Sequence, residues 1–254
     1  MRNKSLDYDQ IAADYNRRYQ NDRRLGTLNA LRAILSEIAP IRILEVGCGT
    51  CHWLEGLQAS GLSLMGVDKS YAMLKQARAL QKTLLCQAAA ESLPLKDESY
   101  DFIYCVNALH HFSEPQTFIR EVQRVLMPGG TLAIIGMDPS DTRNRWYLYD
   151  FFTGVFENDL ERFPDWNRVK YWVKQAPFSL VQFNDVVFIH DPKTRDSVLQ
   201  DPFLQKNACS QLALLSQEEY KRGLAQLQAH VNTIQDPGFC YENDIVLSML
   251  RARK

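Results

Sequence analysis

Three groups of residues in this chain are of types, and at spacings, that could do chemistry. Cys48 to His52 read CGTCH within ILEVGCGTCHWLEGL. C-x-x-C-H is the spacing that attaches c-type haem through two thioethers, and C-x-x-C alone is that of a redox dithiol, favoured where a helix N-terminus lowers a thiol pKa. Asp68 closes the run LSLMGVD, and a carboxylate at the end of a strand can accept hydrogen bonds from the two hydroxyls of a ribose or cap the following helix. His110 and His111 are two of only five histidines. With an unperturbed pKa of about 6.5, an imidazole is mostly neutral and basic at physiological pH, which suits it to taking a proton. Structural hydrogen bonding is the other role open to the pair.

Composition narrows these readings. The 254 residues, 46% of them apolar, are enough for one or two domains with a full core. The net charge of -1 gives no global field toward nucleic acid or an anionic membrane, and the basic stretch NRRYQNDRR is equally well a solvated helix face. Behind the early Arg2 and Lys4 there is no apolar run, so no secretory signal is read, and no stretch approaches the roughly 18 apolar residues that span a bilayer. A soluble, cytoplasmic protein is expected, with no membrane partner, and such a setting argues against covalent haem. The six cysteines form one close pair with no second at zinc spacing, so neither a metal site nor a disulfide scaffold is expected.

The elements that must position these residues follow from periodicity. Leu25, Leu28, Leu31, Leu35 and Ile38 recur at helical spacing up to Pro40. IRILEV is a short, continuous, β-branched run that suits a strand buried on both faces of a parallel sheet. HWLEGLQASG then predicts a short helix with Leu54 and Leu57 inward and Gly61 as its stop. LSLMGVD is a second strand and SYAMLKQARAL a helix capped by Ser70. TLLCQ and YDFIYCV are the third and fourth strands, PQTFIREVQRVL is a helix, MPGG a turn and TLAIIGM the fifth strand. This alternation defines βαβ units, with ligands expected outside the carboxyl ends of the strands. FSLVQFNDVVFIH and IVLSMLRA read as sixth and seventh strands, and the helical SQLALLSQEEYKRGLAQLQAHV between them holds a capping box at Ser216 and Glu219.

Gly47 and Gly49, directly after the first strand, let backbone approach a ligand closely. The dinucleotide fingerprint G-x-G-x-x-G would need glycine at position 52, where His52 stands. Asp68, about twenty residues on, keeps an adenosine-type ligand well supported.

In this order, ILEVGCGTC, GVDKS, AAAESLPL, SYDFIYCVNALHHF and VLMPGGTLAIIG resemble the successive motifs of class I S-adenosylmethionine-dependent methyltransferases, close to the small-molecule type 11 and ubiquinone-biosynthesis-like group. The resemblance covers residues 40 to 137. It implies an α/β fold: a Rossmann-like, doubly wound, seven-stranded sheet, mostly parallel with an antiparallel last strand, plus helical lid insertions. A single domain over 1–254 would have a core of about 25–140, 165–190 and 241–254, and lid segments 1–24, 141–164 and 191–240. S-adenosylmethionine would be the cofactor and S-adenosylhomocysteine the product. Glu45, Gly47, the variable Cys48 and Gly49 would surround its methionine end, Asp68 its ribose, and Lys69 and Ser70 its adenine. The backbone near Cys105 would meet the methionine amine. Tyr8, Tyr15 and Tyr19 resemble the aromatic residues that close over the cofactor. The family commonly has Asp two positions before the Glu of its A-E-x-L-P segment; here Ala89 stands there, before Ala90 and Glu91, and adenine recognition loses that carboxylate. On this reading the C-x-x-C-H spacing is coincidental.

Methyl transfer is an in-line displacement, so the protein must align donor and acceptor, exclude water and, where needed, remove a proton. His111 or His110 would take it. Ten aromatic residues between Trp146 and Trp172 form either a helix packed on the sheet or an acceptor wall. They point to a small, apolar or aromatic acceptor. An RNA acceptor, or a catalytically silent cofactor-binding homologue, are the alternatives.

Overall fold

The apolar run that follows Pro40 folds as β1 (Arg42–Val46), in which every residue after the first is buried. Its two faces feed two cores: Leu44 and Val46 pack on one side of the sheet, Ile43 on the other. Burial on both faces is what a continuous rather than alternating apolar strand predicts. The computed structural model describes residues 8–10, 12, 24–59, 61–77 and 83–254.

Before β1 lies α1 (Arg24–Ile38), and after it α2 (His52–Gly56), β2 (Ser63–Asp68), α3 (Tyr71–Ala77) and β3 (Thr83–Gln87). β4 (Tyr100–Val106), α4 (Pro115–Val125) and β5 (Leu126–Gly136) complete the alternating half. A helical segment follows with β6 (Arg145–Trp146), α5 (Tyr147–Phe151), α6 (Val155–Arg162) and α7 (Trp166–Gln175). The chain then runs through β7 (Ser179–His190), β8 (Lys193–Thr194), α8 (Ser210–Ala213), α9 (Gln217–Thr233), β9 (Cys240–Tyr241) and β10 (Asn243–Arg253).

The main sheet runs β3-β2-β1-β4-β5-β10, with β7 on the far side of β10 and the two-residue β6 paired to the start of β10. The first five strands are parallel, and β10 is antiparallel to both β5 and β7. Strand order reverses between β1 and β4, so the carboxyl ends of β1, β2 and β4 open onto the crevice where such sheets bind ligands. On one face α4 and α7 bury Phe118, Ile119, Val122, Val169 and Val173; on the other α1, α2 and α3 bury Leu31, Ile34, Leu54 and Leu74. No helix among the described residues is long and apolar enough to cross a membrane.

The structure departs from the sequence reading in instructive places. β5 begins at Leu126, opposite Tyr100, and the MPGG segment bulges out before pairing resumes between Phe102 and Thr131. Gly129, at φ +79°, makes that bulge possible. Helix α2 ends at Gly56, so Gly61, at φ +87°, belongs to the turn into β2 and is not the helix stop. The segment from Ser210 divides into α8 and α9 at the expected capping box: Glu219 N donates to Ser216 Oγ at 3.2 Å, and Ser216 N to the Glu219 carboxylate at 2.7 Å. Of the aromatic residues from 146 onward, Trp146, Tyr147 and Phe152 pack with α8 and α9 in a third core, beside the β6 end of the sheet.

That third core closes around Gly223 of α9, where a Cβ would fall 2.3 Å from the Phe152 ring. Alanine would gain about 1 kcal/mol of helix propensity, but overpacking a well-filled core costs about 1–3 kcal/mol, and Phe152 is fully buried. Gly223→Ala should therefore lower the thermal midpoint, which calorimetry reads directly; a raised midpoint would mean that the Phe152 ring has room to move.

Candidate active site

The loop after β1 is stitched to β2 by backbone and by one side chain. Gly47 N and Cys48 N both donate to Val67 O, at 2.8 and 3.1 Å. Gly49 N donates to Asp68 Oδ2 at 2.7 Å, and Ser70 N to Asp68 Oδ1 at 2.8 Å. Gly47 sits at φ +74° with no room for a side chain: its Cβ would lie 2.5 Å from that of Ala108. Burial pushes the Asp68 carboxyl above the usual range, against the N–H groups of Ser70, Gly49 and Lys69, which favour the charged form.

Cys48 and Cys51 lie beneath this loop, both buried and both free thiols. They press on Gly66 of β2, where a Cβ would come within 2.7 Å of Cys48 Sγ and 3.0 Å of Cys51 Sγ. Burial drives the Cys48 thiol well above its ordinary pKa, the opposite of what a thiolate nucleophile requires. The pair packs as small apolar side chains, in keeping with a coincidental C-x-x-C-H.

Above the loop a cavity of about 1010 Å³ spans the carboxyl ends of β1, β2 and β4. This is at the upper end of the roughly 300–1,000 Å³ typical of small-molecule sites. Glu45, Gly47, Cys48 and Gly49 line it from the first loop, Asp68, Lys69 and Ser70 from the second, and Ala90, Glu91, His110 and His111 from the later ones. Two expected residues are not brought there. Ala88, not Ala89, faces the cavity, and Cys105 points into the core beneath α4 while its neighbours Val106 and Asn107 reach the wall. Tyr15 and Tyr19 lie outside the described residues.

Glu45 is wholly buried beside the loop. Tyr104 donates to its Oε2 at 3.2 Å, and no described residue hydrogen-bonds Oε1. Burial first, then the nearby Cys51, pushes its pKa well above 4.5. Ser70 Oγ caps α3 as expected, accepting from Met73 N at 3.1 Å, and also donates to Asp9 at 2.5 Å. Asp9 accepts in addition from Ala72 N, at 3.0 Å, and these two bonds hold its carboxyl below the usual range. Its neighbour Tyr8 hydrogen-bonds His111 Nε2. The imidazole of His110 is packed between His111, at 3.8 Å, and Phe163, at 3.7 Å and nearly parallel.

The opposite wall is built by α6 and α7 and includes Trp172, one of the aromatic residues read as a possible acceptor wall; its two arginines are what sequence reasoning missed. Arg162 lines it with Nη2 on Asp159, at 2.7 Å, and Asp159 is fully buried with further bonds from Tyr149 and Gln211. Arg168 lies over the Trp172 ring at 5.7 Å. Trp172 and Arg168 both face the cavity.

Residues 44–134 match the family described as a methyltransferase domain. This chain carries a class I methyltransferase domain, of the S-adenosylmethionine-dependent kind. It is 33% identical over 100 residues to an uncharacterized methyltransferase of Bacillus subtilis, across 37% of this chain and 40% of that protein. It is 33% identical over 159 residues to an uncharacterized methyltransferase of Mycobacterium tuberculosis, across 55% of this chain and 63% of that protein. The matches thus span about half the length of these curated relatives. In fold it is similar to a putative methyltransferase from an antibiotic biosynthesis pathway of Anabaena variabilis: TM-score 0.67, 23% identity, 89% of this chain and 96% of the other.

The residues present fit this cofactor. A buried carboxyl with one unbonded oxygen, Glu45, suits a cationic methionine end, and the Asp68 carboxylate has the acceptor chemistry for ribose hydroxyls. Two expectations follow. A carboxyl whose folded pKa is raised above 4.5 contributes stability that is complete below that value and is lost as pH rises through the folded pKa. Glu45→Gln cannot ionise, so its stability relative to the native chain should rise between pH 5 and pH 8, as urea denaturation of the ligand-free protein would show; a constant difference would mean that Glu45 stays charged. Asp68→Ala should weaken S-adenosylhomocysteine about 100-fold or more by calorimetry, since each hydrogen bond to a charged group contributes about 1.5–3 kcal/mol. Unchanged affinity would remove Asp68 from the ribose site.

Proposed function

We propose that this chain transfers a methyl group from S-adenosylmethionine to a small, largely apolar or aromatic acceptor, with His111 taking the acceptor's proton. The observation that carries this reading is the Tyr8–His111 hydrogen bond on the wall of the same cavity that Gly47 and Asp68 line. When bound, the cofactor supplies an electrophilic methyl carbon on a sulfonium.

The chain's own residues do the rest. The cavity volume leaves space for two ligands in contact, and holding them aligned replaces a bimolecular encounter by an oriented one. His111, hydrogen-bonded to the Tyr8 phenol, can receive a proton directly or through that hydroxyl. His110 is occupied in stacking on Phe163, which suits it to fixing the His111 ring. Asp9 pins the same N-terminal turn to the start of α3, so residues 8 and 9 bridge the cofactor edge and the acceptor edge. We assign the segments 141–164 and 191–240, together with Tyr8 and Asp9, to a cover that excludes water within a single domain; most of the expected lid segment 1–24 lies outside the described residues.

Mass spectrometry of methyl transfer into a metabolite extract would identify the acceptor. On that acceptor His111→Gln should lower turnover about 100-fold or more, the usual contribution of a general base, with S-adenosylhomocysteine affinity unchanged. His110→Gln should cost less. Full turnover in both variants would return the pair to a structural role.

A further inference from the structure

Resting on the reading of a small-molecule acceptor, we propose that this acceptor carries an anionic group, a carboxylate or a phosphate ester, and that Arg168 binds it. Two guanidinium groups face the acceptor end of the cavity, and they differ in one respect. Arg162 is matched by the buried Asp159 at 2.7 Å, with a further contact to Ser210 Oγ at 3.2 Å. Arg168, exposed at the rim of the cavity, has no carboxylate partner among the described residues.

Arg168 also lies against an indole. Trp172 lies one turn further along α7, with its ring 5.7 Å beneath the guanidinium carbon. A guanidinium within about 6 Å of an indole face is attracted to it, and the planar fork can grip a carboxylate or phosphate through two parallel N–H bonds. The acids on the cavity do not compensate it. Glu45, Asp68 and Asp9 belong to the cofactor edge, Glu91 accepts from Glu114 N at 3.1 Å, and Glu161 is solvent-exposed at the rim. An anion entering beside Trp172 would bring an acceptor ring against an indole face and complete the charge balance of that wall. Methylation leaves this group unchanged unless it is itself the nucleophile, so the assignment concerns recognition and not the atom methylated.

The test uses the whole chain, deuteromethyl S-adenosylmethionine and a metabolite extract of the cells that make the protein. The extract is divided on a strong anion exchanger at pH 7 into retained and flow-through pools. The labelled product should arise from the retained pool, and loss of the acceptor on phosphatase treatment would assign a phosphate ester rather than a carboxylate. On the purified acceptor, Arg168→Gln should raise KM about tenfold or more with little change in kcat or in S-adenosylhomocysteine affinity, and Arg168→Lys should recover part of it. An acceptor found in the flow-through, or a native KM in Arg168→Gln, overturns the proposal. Label in RNA or protein alone, or in no fraction, removes the small-molecule reading itself and this inference with it.

Discussion

The carboxylate of Asp68 is the joint on which the site depends. It ends β2, yet its two oxygens accept from Gly49 N in the loop after β1 and from Ser70 N at the entrance to α3. Parallel pairing of Val46 with Val67 brings these segments to the same level, and the Val67 carbonyl takes the amides of Gly47 and Cys48. The loop amides are thereby satisfied within the protein, as buried backbone must be. Holding a carboxylate there is unfavourable by burial, which is why its pKa rises; the surrounding N–H groups offset that cost. Loop geometry therefore rests on the same side chain that is expected to meet the ribose.

Crowding beneath the loop explains the two cysteines. Cys51 adopts φ +61°, a left-handed conformation that costs a non-glycine residue on the order of 1–3 kcal/mol, at the point where the chain turns into α2. The strain is tolerated because the thiol fills the space above Gly66, fully buried beside Cys48. A thiol behaves there as a small hydrophobe. The motif that looks most reactive in the sequence holds two buried thiols that serve as packing, and burial disfavours the thiolate of Cys48.

The parallel half of the sheet was legible because each strand is a short apolar run and each helix a 3.6-residue stripe, and the Ser216–Glu219 box could be located because its two bonds are local. The MPGG bulge was not, since a turn and a bulge share glycine chemistry and only the partner strand distinguishes them. The site divides in the same way. Gly47, Gly49, Asp68, Ser70 and His111 line the cavity from loops next to their own strands. Arg162 and Arg168 reach the cavity only because α6 and α7 fold back over it, and no local pattern marks that, whereas Trp172 belongs to the aromatic run that suggests an acceptor wall. Cys105 was decidable: alternation along β4 sends Ile103 and Cys105 under α4 and sends Phe102, Tyr104 and Val106 to the other face.

The cavity is electrically asymmetric, and this bears on how a two-substrate reaction could be organised within it. Asp68 and Asp9 stand at the edge formed by β1, β2 and α3, whereas on the opposite wall Arg162 is matched by Asp159 and the exposed Arg168 and Glu161 stand at the rim. In water such charges act weakly beyond about 10 Å, and only a cover that closed the cavity would leave their fields less screened. A cationic donor and an anionic acceptor would each be drawn to its own edge, and each would be repelled from the other's. Orientation would then come from the charge distribution as much as from shape. The turn at Tyr8 and Asp9 touches both edges, bonding His111 on one side and Ser70 on the other. The position of the imidazole and the start of α3 are thus tied to one turn, because two adjacent residues make both contacts.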